Sequence, residues 1–171
     1  MSGLGSPEER TVDAAGRRVG LVATRWHPDI TDALVAGALR ACSDCGVADD
    51  DVEVVRVPGA FELPVVAAAL AHSRRVDAVV CLGVVVRGGT PHFDYVCKAV
   101  TEGCTRVALD SGIPVGFGVL TVDTVEQAME RAGGAGGDKG REAVLAALET
   151  AAVLDGVRGH TSAGFTAGPR R

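Results

Sequence analysis

The pattern of apolar and polar positions divides the chain into two kinds of segment. Short runs built almost wholly from Val, Ala, Leu and Gly are typical of strands buried on both faces of a parallel sheet. Longer segments carry apolar residues three and four positions apart, which is the spacing of a helix with one buried face. The predicted strands are 17–26, 52–57, 77–86 and 113–121, and the predicted helices are 27–46, 58–73, 91–112, 123–133 and 138–156.

Strand and helix segments follow one another regularly along the chain. This order predicts an α/β fold in which four parallel strands form one sheet and helices cover both of its faces. The run 77–86 is apolar almost throughout, which predicts a central strand. Ligands of such sheets bind outside the carboxyl ends of the strands. The residues that follow each strand are therefore the first candidates for a functional site.

The length of 171 residues suits a single domain. We predict an α/β domain over 17–156, between a flexible N-terminal segment (1–16) and a disordered Gly-rich tail (157–171). The net charge of −5 argues against a nucleic-acid partner. Because no apolar run reaches membrane-spanning length and no signal-peptide pattern opens the chain, we expect a cytoplasmic protein with no membrane partner.

Five cysteines are present, and the odd number favours reduced thiols over a disulfide framework. Cys42 and Cys45 have the spacing of half a zinc site or of a redox pair. No second pair of cysteines or histidines completes a zinc site, so we expect no bound metal. The more frequent alternative is that both thiols pack in the last turns of a helix.

The stretch RGGTPHFDYV follows the third predicted strand and combines a cation, flexible residues and a histidine. Thr90 can cap the following helix, with Pro91 at its first position. Unpaired amides of the first turn and the helix dipole then favour an anion, and Gly88 and Gly89 let the backbone approach it. His92 adds a group that exchanges protons near neutral pH. The stretch predicts a phosphate site beside a proton-transfer group; a well-capped helix after an ordinary glycine turn is the alternative.

Aromatic and acidic side chains follow the first two predicted strands. Trp26 and His27 follow the first strand, and Phe61 and Glu62 follow the second. Trp26 is either a stacking platform for a flat ring or a cover over the edge of the core. A glutamate in the first turn of a helix is favourable without any ligand, so Glu62 by itself decides nothing.

Three residues in the second half of the chain have both a structural and a functional interpretation. Phe117 lies between two glycines in the fourth predicted strand, where core packing is the more frequent role. Arg131 and Lys139 flank a glycine-rich break between the last two helices. Each cation by itself is typical of a solvated surface, and Arg131 also complements the C-terminus of its helix.

Taken together, these stretches resemble the lumazine synthase family, whose members make 6,7-dimethyl-8-ribityllumazine in riboflavin biosynthesis. The resemblance runs from about Val19 to about Leu154 and is carried by TRWH, PGAFELP, GVVVRGGTPHFDYV, GFGVLTVDTVEQAMERAG and DKG. It implies a flavodoxin-like three-layer α/β/α sandwich that forms pentamers, and in some members a sixty-subunit icosahedral shell. The implied reaction condenses 5-amino-6-(D-ribitylamino)uracil with 3,4-dihydroxy-2-butanone 4-phosphate and releases phosphate and water, with no metal or cofactor.

The resemblance also implies a role for each matching position. His92 would be the catalytic proton shuttle, while Gly89 and Thr90 would bind the phosphate. Phe117, Arg131 and Lys139 would come from the neighbouring subunit, with Arg131 pairing with the phosphate. The pyrimidine and its ribityl chain would be bound by Trp26, His27, Ala60, Phe61, Glu62, Val84, Val85 and Val86. The chain departs from the family at three of these positions: Trp26 stands where phenylalanine is more frequent, His27 where many members have asparagine, and Gly89 where alanine or glutamine is frequent.

The linker from Gly133 to Asp138 is short, which in this family accompanies shell-forming members, so we expect a sixty-subunit shell. Riboflavin synthase is left open as a partner.

Two other functions are alternatives to this reaction. One is a binding module for a flavin or nucleotide, but its phosphate loop should follow the first strand, where TRWHPD has few glycines. The other is a shell protein without catalysis, against which the joint presence of His92, Arg131 and Lys139 argues.

Overall fold

The computed structural model describes residues 9–163, and side chains as far as residue 159. The strands are β1 (Val19–Thr24), β2 (Val52–Val57), β3 (Ala78–Val86), β4 (Val115–Val122), β5 (Ala132–Gly134) and β6 (Gly137–Asp138). The helices are α1 (Pro28–Asp44), α2 (Leu63–His72), α3 (His92–Ser111), α4 (Val125–Arg131) and α5 (Lys139–Ala163), with single 3-10 turns at Asp49–Asp51 and Ala60–Glu62.

The main sheet has four parallel strands in the order β2-β1-β3-β4. The α/β fold and the central position of the third strand, both predicted from the apolar pattern, are confirmed. Strand β1 is buried along its whole length, because neighbouring strands flank it on both edges and helices cover both faces. Successive side chains of a strand point to opposite faces, so Leu21 belongs to one apolar core and Val22 to the other.

The helices divide between the two faces of the sheet. Helices α1 and α5 bury Leu34 and Leu148 against the face that carries Leu21. Helices α2 and α3 bury Leu63 and Val100 on the opposite face. The result is a three-layer α/β/α sandwich whose strands all end at one edge, so the residues that leave β1, β2 and β3 meet there.

The C-terminal helix is longer than the sequence pattern predicts. Its predicted end was residue 156, where a glycine weakens helix propensity, but α5 continues to Ala163. The guanidinium of Arg158 donates a hydrogen bond of 2.7 Å to the carbonyl oxygen of Gly112, which ties this part of α5 to the end of α3. Residues 164–171 of the predicted disordered tail lie outside the described residues.

The N-terminal segment is described from residue 9 onward. Ala14 is buried, and its backbone N–H donates to the carbonyl oxygen of Cys45 at 2.8 Å. Glu9 pairs with Arg141 at 3.0 Å, so this segment lies along the ends of α1 and α5. Residues 1–8 of the predicted flexible segment lie outside the described residues.

The cysteine pair near the end of α1 belongs to the core. Cys42 and Cys45 are both buried free thiols within the apolar cluster between α1 and the sheet. Burial, with a smaller contribution from the neighbouring Cys45, raises the pKa of the Cys42 thiol to about 12. A thiol held neutral in this way is a poor metal ligand and a poor nucleophile, which supports a packing role for the pair. Among the described helices, none is sufficiently long and apolar to cross a membrane.

Candidate active site

A cavity of about 380 Å³ opens at the carboxyl edge of the sheet. This volume lies within the range that binds small organic ligands in other proteins. Three strand exits and the first turns of α3 form its walls, and the residues that line it are Trp26, His27, Gly59, Ala60, Phe61, Glu62, Val84, Val85, Val86, His92 and Val96. Aromatic, acidic and imidazole groups that are far apart in sequence therefore face one space.

The exit of β1 carries the aromatic wall of the cavity. Trp26 is 68% exposed, and its ring centroid lies 6.5 Å from that of His27, with the planes tilted by 45°. His27 has φ 51° and ψ 67°, a left-handed conformation that non-glycine residues adopt rarely. Its carbonyl oxygen accepts 3.0 Å hydrogen bonds from the amides of Ile30 and Thr31, so the sharp turn is held by the start of α1. The turn leaves a large indole exposed at the cavity instead of buried in the core.

The exit of β2 supplies the carboxylate. Glu62 Oε2 accepts a hydrogen bond of 2.9 Å from the backbone N–H of Gly59, which closes the 3-10 turn before α2. A Cβ on Gly59 would lie 3.2 Å from that oxygen and 3.5 Å from Cδ1 of Trp26. Glycine at this position therefore lets the indole and the carboxylate approach each other. Phe61, in the same turn, is 63% exposed and adds an apolar surface to the wall.

The loop between β3 and α3 is open to the solvent. A Cβ on Gly88 or Gly89 would meet no atom within 4 Å, and neither residue has a positive φ. The subunit's own packing thus gives no reason for two glycines here, whereas close approach of a ligand does. Thr90 is exposed and follows directly, at the entrance to α3. Helix α3 has twenty residues and directs its positive end toward this loop.

The predicted capping of α3 by Thr90 is wrong. The helix begins at His92, and its N-cap is Pro91, with φ −63°, ψ −6° and no side-chain cap. The carbonyl oxygen of Pro91 accepts from the amide of Asp94 at 3.0 Å, so the chain already turns into the helix at the proline. The hydroxyl of Thr90 makes no hydrogen bond within the described part of the chain and is available to a ligand.

Most of the residues predicted for the site meet in this cavity. Trp26, His27, Ala60, Phe61, Glu62, Val84, Val85, Val86 and His92 line it, while Gly89 and Thr90 lie in the loop that joins two of its walls. Gly59 and Val96 also line the cavity and were not predicted from the sequence. Gly59 belongs to the PGAFELP stretch, and Val96 lies one helical turn after His92, so the spacing of a helix was a signal that could have found it.

Phe117, Arg131 and Lys139 do not line the cavity of their own subunit. Phe117 lies on the edge strand β4, opposite Cys81 of β3, and is 42% exposed. It is roughly 16 Å along β4 from the carboxyl end of that strand. Arg131 donates a hydrogen bond of 2.8 Å to the carbonyl oxygen of Gln127. Lys139 pairs with Glu142 at the start of α5. No lysine or arginine is among the described residues that line the cavity of a single subunit.

The four-stranded parallel sheet, covered on both faces and with a ligand cavity at its carboxyl edge, defines an α/β protein of the flavodoxin-like class. The sequence model of the family described as 6,7-dimethyl-8-ribityllumazine synthase matches residues 16–155. Because the match spans most of the chain, the chain belongs to the 6,7-dimethyl-8-ribityllumazine synthase family. It is therefore an enzyme of the transferase class, as the resemblance predicted.

Curated relatives agree with the family assignment. A protein of Frankia casuarinae named 6,7-dimethyl-8-ribityllumazine synthase is 67% identical over 156 residues, which cover 90% of this chain and 96% of that protein. A Kineococcus radiotolerans protein of the same name is 62% identical, covering 92% of this chain and 96% of its own length. A Streptomyces avermitilis protein, also of that name, is 56% identical over 92% of this chain and 97% of its own.

Proposed function

We propose that this chain condenses 5-amino-6-(D-ribitylamino)uracil with 3,4-dihydroxy-2-butanone 4-phosphate to form 6,7-dimethyl-8-ribityllumazine, the penultimate step of riboflavin biosynthesis. The observation that carries the proposal is one cavity in which Trp26, Glu62 and His92 face each other beside an open glycine loop. These groups are suited to a flat heterocycle with a polyol chain, to a proton transfer and to a phosphate, which are the features of the two substrates.

The pyrimidine is assigned to the wall between β1 and β3. Trp26 offers an exposed ring face for stacking. The pairing of β1 with β3 ends at Ala23 opposite Leu82, whereas β3 continues to Val86. Backbone groups on that side of the last residues of β3 thus have no described strand partner and can bind the polar edge of a flat ring. Glu62, His27, Phe61 and Ala60 then surround the ribityl chain.

The phosphate of the butanone is assigned to the loop before α3. Gly89 permits close approach of the backbone, Thr90 offers its hydroxyl, and the positive end of α3 favours an anion. A bound phosphate here would hold the four-carbon chain next to His92, since the loop and the imidazole are adjacent. Placing two reactants in one orientation contributes about 7–11 kcal/mol in favourable cases.

His92 is assigned the proton transfers. The primary amine of the pyrimidine attacks the ketone, and the resulting carbinolamine loses water to form an imine. Phosphate then leaves from the butanone part, and the ribityl-bearing nitrogen closes the second ring with loss of water. Each step moves a proton to or from nitrogen, carbon or oxygen, and imidazole is the side chain used most often for such transfers. No cofactor enters this scheme.

We also propose that the site is completed by a second copy of the chain in a homo-oligomer of pentamers. Phe117, Arg131 and Lys139 lie away from the cavity of their own subunit, so they can reach a site of this kind only on a neighbour. The exposed apolar side chains Val65, Tyr95 and Leu109 support burial against other subunits. The linker 133–138 forms a tight β5–β6 hairpin, which supports the sixty-subunit shell over a free pentamer.

The location is proposed to be the cytoplasm. All five cysteines are free, and Cys97 is not buried, which supports a reducing compartment.

An assay with both substrates tests whether the protein catalyses this reaction. Purified protein is incubated with both substrates, and the absorbance and fluorescence of 6,7-dimethyl-8-ribityllumazine are followed while phosphate release is measured in parallel. Reactions that lack either substrate serve as controls. We expect product and phosphate in equal amounts. A folded protein that binds a flavin or nucleotide yet forms no product would instead favour the binding module, and an inert shell would favour the structural alternative. Light scattering that gives the mass of five subunits would contradict the shell.

A further inference from the structure

Arg87 lies at the junction between β3 and the glycine loop, outside the set of residues that line the cavity. Its backbone N–H donates to the carbonyl oxygen of Val122 at 2.9 Å, which fixes the start of the loop on the neighbouring strand. Its side chain is 47% exposed, and its guanidinium contacts two carboxylates and one aromatic ring. Nε donates to Oδ1 of Asp123 at 3.0 Å and Nη1 to Oδ1 of Asp94 at 3.4 Å, while Cζ lies 4.1 Å from the ring centroid of Phe93.

These contacts span the loop from one end to the other. Arg87 immediately precedes Gly88, and Phe93 and Asp94 immediately follow His92. Within the described part of the chain, residues 88–90 make no backbone hydrogen bond to another element. Gly88 and Gly89 have no packing neighbours for a Cβ either. The loop is therefore held at its two ends, and the Arg87 side chain is the group that joins those ends to each other.

The charge of Arg87 is already balanced. Its hydrogen bond to Asp123, and then the charge of Asp94, raise the pKa of the guanidinium, which stays cationic. Two carboxylates face one guanidinium, so this cluster has no excess positive charge to offer a phosphate. The arrangement suits a side chain that links the two ends of the loop better than one that binds an anion. A guanidinium that bound the phosphate directly would have to leave one or both carboxylates.

We propose that Arg87 is a positioning residue, which sets the geometry of the phosphate loop and of the His92 turn by linking Asp123, Phe93 and Asp94. The inference rests on the proposed function, because the loop is assigned there to the phosphate of the butanone. Loss of the Arg87 contacts weakens the binding of the phosphate by the loop. It leaves the pyrimidine contacts of Trp26 and Glu62 in place, because these two residues are held by β1, β2 and their own turns.

The test compares Arg87→Gln and Arg87→Lys with a matched control, Arg106→Gln. Arg106 is an exposed arginine of α3 that pairs with Asp110 at 3.1 Å, away from the cavity. We expect Arg87→Gln to raise the KM for the butanone phosphate about 10-fold and to leave the KM for the pyrimidine within about 2-fold, since small displacements of positioning groups reduce rates by up to about 100-fold. Arg87→Lys keeps the positive charge but loses the planar guanidinium that contacts both carboxylates, so its KM for the butanone phosphate should lie between those of the wild type and Arg87→Gln. Arg106→Gln should have the KM values of the wild type.

Binding of inorganic phosphate, measured by calorimetry without the pyrimidine, is a second readout that needs no turnover. We expect Arg87→Gln to weaken it about 10-fold, in line with the change in KM. Equal increases in both KM values would indicate a general structural role and overturn the proposal, as would wild-type phosphate binding by Arg87→Gln. If Arg87→Gln does not fold, Arg87→Lys carries the same comparison. A wild-type protein that forms no lumazine refutes the proposed function, and the phosphate measurement then decides on Arg87 alone.

Discussion

Gly140 in α5 lies directly against the backbone of Leu34 in α1. A Cβ on Gly140 would stand 2.8 Å from the carbonyl carbon of Leu34 and 3.0 Å from its Cα. Backbone atoms cannot move aside as the end of a flexible side chain can, so only glycine permits this crossing of the two helices. The same crossing places the start of α5, with Asp138 bonded to the amide of Arg141 at 3.0 Å, beside α1.

Gly140→Ala should therefore destabilise the protein by about 3 kcal/mol, because the added methyl forces the two helix backbones apart. The control is Gly159→Ala in the same helix, where a Cβ meets no atom within 4 Å. There the loss of unfolded-state freedom should stabilise the helix by about 0.5 kcal/mol. Urea unfolding at one fixed protein concentration compares the two variants. A Gly140→Ala protein as stable as wild type would show that α5 can move away from α1 without cost.

His92→Ala should lower kcat by about 10²–10⁴-fold and change both KM values little, since general acid–base help is typically of that size. Residual activity should persist because the cavity still brings the two substrates together. His72→Ala is the control: His72 is exposed at the end of α2, where its ring contacts the carbonyl oxygen of Ala68 at 2.7 Å. Steady-state kinetics with lumazine absorbance measures both. A folded His92→Ala variant that binds substrates and shows no turnover at all would mean that the imidazole does more than transfer protons.

Trp26 is the single tryptophan of the chain, so its fluorescence reports on the cavity without interference. Binding of the pyrimidine should quench it as the rings stack. Trp26→Ala should weaken pyrimidine affinity about 10-fold, whereas Trp26→Phe should retain most of it, because a stacked pair contributes about 0.5–1.5 kcal/mol beyond area burial. Calorimetric titration distinguishes the variants. Equal affinity of Trp26→Ala and wild type would reassign the indole to covering the edge of the core.

Arg131→Ala should raise the KM for the butanone phosphate about 10-fold, because a charge-assisted contact to the phosphate is lost. The KM for the pyrimidine should stay unchanged, and Arg106→Gln again serves as the control for removing an exposed arginine. An unchanged KM for the butanone phosphate would remove Arg131 from the phosphate site.

Subunit mixing tests whether Arg131 and His92 of one site belong to different copies. His92→Ala and Arg131→Ala subunits are unfolded together and allowed to reassemble. If each site takes its histidine and its arginine from two subunits, about a quarter of the sites in random mixed oligomers regain both groups. At a butanone phosphate concentration well below its KM, where Arg131→Ala alone is about 10-fold less active than wild type, the activity of the mixture should exceed that of either variant. Native mass spectrometry confirms that mixed oligomers form. Mixed oligomers without any recovery would place both residues on one subunit.

Local pattern determined most of the secondary structure. The predicted strand 52–57 coincides with β2, and every predicted helix is present, because apolar periodicity reflects which face of an element is buried. The residues at which strands and helices end were less predictable from the sequence. Strand β1 stops at Thr24, before the predicted residue 26, because Trp26 and His27 enter the sharp turn to α1. The β5–β6 hairpin was missed, since glycines pair through their backbone and leave no pattern of side chains.

The sequence by itself determined the layers of this protein, because burial imposes a period that short windows of residues record. It also placed the candidate groups after the strands, since parallel strands direct their carboxyl ends to one edge. Only the tertiary structure decided that Trp26, Glu62 and His92 share one cavity while Arg131 does not line it. It also decided that Arg87 bridges its own loop. Such relationships depend on strand order and side-chain direction, which are properties of the packed sheet and not of any single segment.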